Sequence, residues 1–86
     1  MEDSKQKKNV TINKMEAGQS GMVIEMHGGE NFKKRLEALG IRPGSKITKV
    51  SSMVFRGPST VKIGRSQIAI GFGMANRVIV EVDKSA

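Results

Sequence analysis

One stretch of the chain breaks an otherwise β-like pattern and fixes what the rest must be built around. In Asn31–Leu39, Phe32, Leu36 and Leu39 recur at i, i+4 and i+7, the spacing of one helical face. Asn31 can serve as N-cap. Gly40 stands just past the end, where a residue with positive φ is wanted. That placement puts Leu36 at C3 and Ile41 at C″, the pair that touch in a Schellman cap. Pro43-Gly44 then suits the middle of a type II turn. The spacing predicts a short helix over about 31–39, marked at both ends and followed by a tight turn.

The remaining apolar segments are short and separated by glycine. Val10–Met15 reads as a short strand or an extended lead-in, followed by the turn signal Ala17-Gly18-Gln19-Ser20-Gly21. Met22–His27 is a strand candidate with Met22, Ile24 and Met26 on one face and Val23, Glu25 and His27 on the other. In Ser45–Met53, Ile47 and Val50 have opposite parity, which a bulge would repair. Thr60–Ile63 and Gln67–Ile70 turn Val61, Ile63, Ile68 and Ile70 inward around Gly64-Arg65, a two-residue hairpin turn with glycine first. Gly71–Asn76 reads as a connecting turn of helix. Arg77–Val82 closes the pattern with Val78, Val80 and Val82 inward and Arg77, Ile79 and Glu81 outward. About five short strands with one short inserted α-helix make a small, mainly β domain. Closing them into a partly open SH3-like barrel is the economical way to remove exposed edges.

With 86 residues the chain has room for one domain and none for a dinucleotide-binding half. Residues 1–9 are polar and read as a disordered basic tail, residues 10–82 as the domain, and residues 83–86 as a second polar tail. Met1–Val10 lacks the apolar core of a signal peptide. No apolar run approaches the roughly 20 residues that span a bilayer, so a membrane role is expected only through a partner. The absence of cysteine excludes disulfides, thiolate metal sites and cysteine nucleophiles, and suits a reducing, cytoplasmic home. Fifteen Lys and Arg against eight Asp and Glu leave a net charge of +7, which favours acidic partners.

The run Gly18…Gly21-Met22-Val23-Ile24 to Gly28-Gly29, followed by Arg35-Leu36-Glu37-Ala38-Leu39-Gly40-Ile41-Arg42-Pro43-Gly44-Ser45, resembles the FeoA family. That family has Gly-Gly after its first barrel strand and then Arg-Leu-x-x-Leu-Gly-Ile/Leu-x-Pro-Gly-Ser/Thr. Gly57-Pro58 stands where the family often has Gly-Asp-Pro or Gly-Gly-Pro, although Arg56-Gly57-Pro58-Ser59 lacks the acid. Ile68-Ala69-Ile70 and Ala75-Asn76-Arg77-Val78-Ile79-Val80 look like its closing strands and short helix. The resemblance covers about Val10–Val82. It implies an SH3-like fold in the bacterial cytosol and an accessory role in ferrous iron uptake beside the transporter FeoB, which has a cytosolic GTP-binding domain. It also implies a looser kinship with the SH3-like C-terminal domains of DtxR-type metal-dependent repressors.

Residue by residue, the chemistry is sparse. His27 is the only histidine, and Glu25 shares its strand face. A transition-metal site built from one chain usually wants at least two imidazoles or thiolates. His27 and Glu25 are therefore weak metal candidates, a site shared across a homodimer is the remaining route, and no cofactor is expected. No nucleophile has an evident activating base and no P-loop is present, so the chain is not read as an enzyme. Gly71-Phe72-Gly73 reads as a tight barrel corner. Phe32, Phe55 and Phe72 are the only aromatics. That disfavours a proline-peptide groove and leaves no stacking platform, so nucleic-acid binding is expected to be weak and non-specific.

A protein partner remains. Lys33, Lys34 and Arg35 crowd the helix start, where each exposed cation opposes the helix dipole at a cost of ~0.3–1 kcal/mol. Glu30 and Glu37 relieve this only in part. With Arg42 these residues form a basic face. In Met53-Val54-Phe55-Arg56-Gly57-Pro58, three apolar side chains sit in a turn-rich loop. They either plug a barrel end or form an exposed anchor in which Val54, Phe55, Arg56 and Pro58 meet a partner. The reading is a non-catalytic interaction module, monomeric or weakly homodimeric, that docks on the cytosolic part of a FeoB-like transporter and modulates it. The alternative is a nucleic-acid-associated or regulatory SH3-like module akin to the repressor domains.

Overall fold

The computed structural model describes residues 7–51 and 57–83. Six strands form one antiparallel sheet: β1 Lys7–Thr11, β2 Ser20–Met26, β3 Lys46–Ser51, β4 Ser59–Ile63, β5 Ser66–Ile70 and β6 Val78–Asp83. Helix α1, Glu30–Ala38, is inserted between β2 and β3, and the short α2, Phe72–Ala75, joins β5 to β6. The strand order is β1-β6-β2-β3-β4-β5. Val78, Val80 and Val82 of β6 and Ile70 of β5 lie far apart in that order, yet all enter one core with Ile12, Val23, Leu36, Ile41, Ile47 and Val61. The sheet therefore curls over its own inner face.

Two bulges produce the curl, and the first changes which side chains point inward. In β2 the register moves from Val23 opposite Val80 to Glu25 opposite Ile79, leaving Ile24 as the extra residue. Val23 and Met26 are consequently both buried, while Met22 is exposed, so the expected shared face of Met22, Ile24 and Met26 does not exist. In β3 the register moves from Lys49 opposite Val61 to Ser51 opposite Thr60. The expected bulge is present, but Val50 still lies outward, at 38% exposure, while ordinary alternation sets Lys49 inward beside Ile47.

The helix end follows the sequence closely. Ile41 N–H donates to Leu36 O and Gly40 N–H to Glu37 O, each at 2.9 Å, with Gly40 at φ +93°. These are the two bonds of a Schellman cap, and both Leu36 and Ile41 are buried. Gly44, at φ +97°, completes the next turn, where Ser45 N–H donates to Arg42 O at 2.9 Å. Leu39 is corrected: at the C-cap it is 41% exposed, because the reversal at Gly40 gives the core position to Ile41. The start is corrected too. Gly29 is the N-cap, not Asn31, and Glu30 occupies the first turn, where its charge suits the dipole.

The boundaries of the sheet also differ from expectation. There are six strands rather than about five, because β1 begins at Lys7 inside the stretch read as a tail. Lys7–Asn9 pair with Asp83, Val82 and Glu81 of β6. The Lys7 ammonium lies 3.2 Å from an Asp83 carboxylate oxygen, so Asp83 belongs to the sheet rather than to the closing tail. Backbone pairing with β6 draws this polar segment into the sheet although it offers little apolar surface.

Candidate functional site

The four cations expected to meet a partner lie on α1 and on the turn after it. Leu36 points into the core, leaving Lys34 and Arg35 exposed and Lys33 half-buried. Phe32 packs against the core, and the Arg77 guanidinium lies 5.6 Å from its ring centre. Close approach of that ring explains one glycine, since a Cβ on Gly28 would fall on Phe32.

Arg42, also exposed, is displayed by a braced turn. Gly44 N–H donates to Val23 O at 2.7 Å, and Val23 N–H donates to Ser45 O at 2.8 Å, tying the turn to β2. The Ser45 hydroxyl donates to Gly40 O at 2.9 Å and accepts from Arg42 N–H at 3.3 Å. Among the described residues, none of Lys33, Lys34, Arg35 and Arg42 is ion-paired, so Glu30 and Glu37 do not hold them. An exposed cation without a fixed carboxylate gives up little to meet an acidic surface, and a braced backbone lowers the ordering cost.

His27 and Glu25 are brought together just beyond and within β2. The imidazole Nε2 lies 3.3 Å from a Glu25 carboxylate oxygen, with the side chains 62% and 64% exposed. Among the described residues, no group of three His, Cys, Asp or Glu side chains could hold a metal ion. Pro58 is exposed immediately before β4. Val54, Phe55 and Arg56, the rest of the expected anchor, lie outside the described residues.

Sequence reasoning missed a buried polar chain under the first turn. The Lys49 ammonium donates to Ile12 O at 2.8 Å and to Met15 O at 3.1 Å. The Ser59 hydroxyl donates to Asn13 Oδ1 at 3.0 Å, and Asn13 Nδ2–H donates to Phe72 O at 2.9 Å. These bonds fasten the 3-10 turn Ile12–Lys14 to β3, β4 and α2. The available signal was the alternation of Ile47 and Lys49, which puts both on one face.

Compared with known families, the chain matches the FeoA domain over residues 10–82. Among solved structures it is similar to an iron uptake regulatory protein, FeoA, at 33% identity and a TM-score of 0.82, covering 87% of this chain and 99% of that one. It is similar to FeoA of Stenotrophomonas maltophilia complexed with zinc, at 25% identity and a TM-score of 0.70, covering 83% of this chain and 88% of that one. That protein is described as a prokaryotic SH3 domain protein and proposed as a bacterial ferrous iron transport activating factor. IdeR of T. acidophilum shares the fold over 87% of this chain and 34% of its own length, at 20% identity and a TM-score of 0.76. Among curated proteins, none matches the chain by sequence.

Proposed function

This chain belongs to the FeoA family, with an SH3-like fold, and from that premise we propose that it is a non-catalytic accessory module that docks on the cytosolic part of a FeoB-like ferrous iron transporter and modulates uptake. What supports this reading most is that Lys33, Lys34, Arg35 and Arg42, on α1 and a braced turn, have no ion-pair partner among the described residues. A module of this kind needs a surface rather than reacting groups. The Val54–Pro58 loop would add apolar contact. Among the described residues no helix is long and apolar enough to cross a membrane. In the proposed role the chain works in the cytoplasm and the partner makes the contact with the bilayer. Likeness to repressor domains is a likeness of fold and brings no DNA function with it.

The test is association kinetics with the transporter's cytosolic part at two salt concentrations. The paired reversal Lys34→Glu and Arg35→Glu is expected to lower the on-rate about tenfold and flatten its salt dependence, with the fold intact. An unchanged on-rate would refute the helix assignment. Tight duplex-DNA binding that survives moderate salt would favour the regulatory reading instead.

A further inference from the structure

Among the described residues, strand β5 ends the sheet, flanked by β4 on one side and by no strand on the other. It is also the one strand of the six without a charged residue, reading Ser66-Gln67-Ile68-Ala69-Ile70. The opposite edge, β1, carries Lys7 and Lys8, and lysines on an edge strand are a common guard against pairing with another chain. The β5 edge lacks that guard.

Hydrogen-bond alternation shows which groups are open. The hairpin closes on Ile63 opposite Ser66 across a two-residue turn, with Gly64 at φ +59°. That closing pair is hydrogen-bonded, as are Val61 with Ile68 and Ser59 with Ile70 further along. The N–H and C=O of Gln67 and Ala69 therefore point away from β4. Neither has a backbone partner elsewhere among the described residues, and both side chains are exposed.

We infer that β5 pairs antiparallel with β5 of a second copy of this chain, about a two-fold axis at Ile68. In that register Gln67 of each copy faces Ala69 of the other, and each facing pair exchanges both of its backbone bonds, so the four open groups on one edge satisfy those on the other. A strand with this dyad is complementary to itself, as a closed two-fold interface requires. The chain carries +7 overall, which opposes contact between two copies, and β5 is the strand whose sequence adds no cation of its own to that repulsion. Lys62, beside Gln67 on β4, is separated from its symmetry mate by three strand spacings, about 14 Å. That exceeds the Debye length of about 8 Å at physiological ionic strength.

The experiment is sedimentation of the full chain from low micromolar to millimolar concentration, with amide exchange read at Gln67 and Ala69. A concentration-dependent dimer is expected, with those two amides becoming protected as it forms. Ala69→Pro removes one outward donor per chain and is tolerated at an edge; it is expected to weaken the dimer at least about tenfold. If that variant fails to fold, mixing Gln67→Lys with Ala69→Glu decides: the two should form a mixed dimer more strongly than either pairs with itself. A monomer at every concentration would overturn the inference. So would a dimer that ignores both changes. Protection of the same amides by the transporter's cytosolic part alone would assign the edge to an extended segment of that partner instead.

Discussion

Lys49 reaches from β3 to the main-chain carbonyls of Ile12 and Met15, at 2.8 and 3.1 Å, with only 1% of the residue exposed. It has no carboxylate partner among the described residues. Its aliphatic stem fills the core beside Ile47, while its ammonium donates to the Met15 carbonyl, which would otherwise lack a donor, and adds a second bond to Ile12 O, which already accepts from Met15 N–H. Together with Asn13 and Ser59 it locks the 3-10 turn over one end of the curled sheet.

Removing that side chain should therefore cost more than a surface lysine does. Lys49→Ala leaves a cavity and an unsatisfied Met15 carbonyl, for an expected loss of about 3 kcal/mol. Lys49→Met keeps the volume and relieves the burial of a charge, so its expected loss is smaller, about 1 kcal/mol. Urea denaturation checks the order. A Lys49→Ala midpoint no lower than that of exposed Lys62→Ala would contradict the burial.

The same site makes stability depend on alkaline pH. Burial pushes the Lys49 ammonium below its ordinary 10.5. Between the lowered folded value and 10.5 the unfolded chain binds the proton more tightly, so stability rises with pH across that window. The cost of burying the charge is relieved above 10.5 and fully felt once pH falls below the folded value. Lys49→Met removes this contribution. The difference between wild-type and variant stability, followed from pH 7 upward, should grow in favour of the wild type, because the neutral amine still donates to both carbonyls. A flat difference would contradict the shift.

The helix end was legible because its signals are local. Leu36, Gly40, Ile41, Pro43 and Gly44 each fix a backbone angle or a contact within a few residues, and the structure realises all of them. The β6 alternation of Val78, Val80 and Val82 was legible for the same reason. The bulge at Ile24 was not, since it answers to the register with β6, more than fifty residues away in sequence. Lys49 was obscured by its own type: a lysine on an inward position is ordinarily read as solvated, and only the turn at Ile12–Met15 supplies its acceptors. Lys7–Asn9 have tail-like composition and become a strand through backbone pairing with β6. In the candidate site, the cations of α1 and of the turn after it can be read directly from the sequence, but the brace from Gly44 and Ser45 to Val23 is long-range and had no local sign.

Gly21 is required by a close approach rather than by a turn. A Cβ there would lie 2.5 Å from Val80 Cγ1 and 2.7 Å from both Glu81 O and Val82 Cγ1. The Glu81 carbonyl belongs to the β2–β6 ladder and cannot move alone. Gly21→Ala should therefore separate the strands locally and lower stability by about 1–3 kcal/mol. Thermal unfolding measures the loss, and exchange of the β6 amides localises it. An unchanged melting temperature would show that the ladder yields at no cost.

Two adjacent glycines before α1 should respond in opposite directions. At Gly28 a new Cβ meets the Phe32 ring, which is held between the core and the Arg77 guanidinium, so Gly28→Ala should cost about 1–2 kcal/mol. At Gly29 nothing lies within 4 Å, its φ is −79°, and no side chain caps the helix. An aspartate there can accept a hydrogen bond from the first turn and set a negative charge against the dipole and Lys33. Gly29→Asp should therefore stabilise the domain by a few tenths to about 1 kcal/mol at low salt. Raising the salt should erode the electrostatic part of that gain and leave the hydrogen-bond part. Denaturant midpoints for both variants at two ionic strengths separate the contributions, and a destabilising Gly29→Asp would show that the loop entering the helix does not hold the cap geometry.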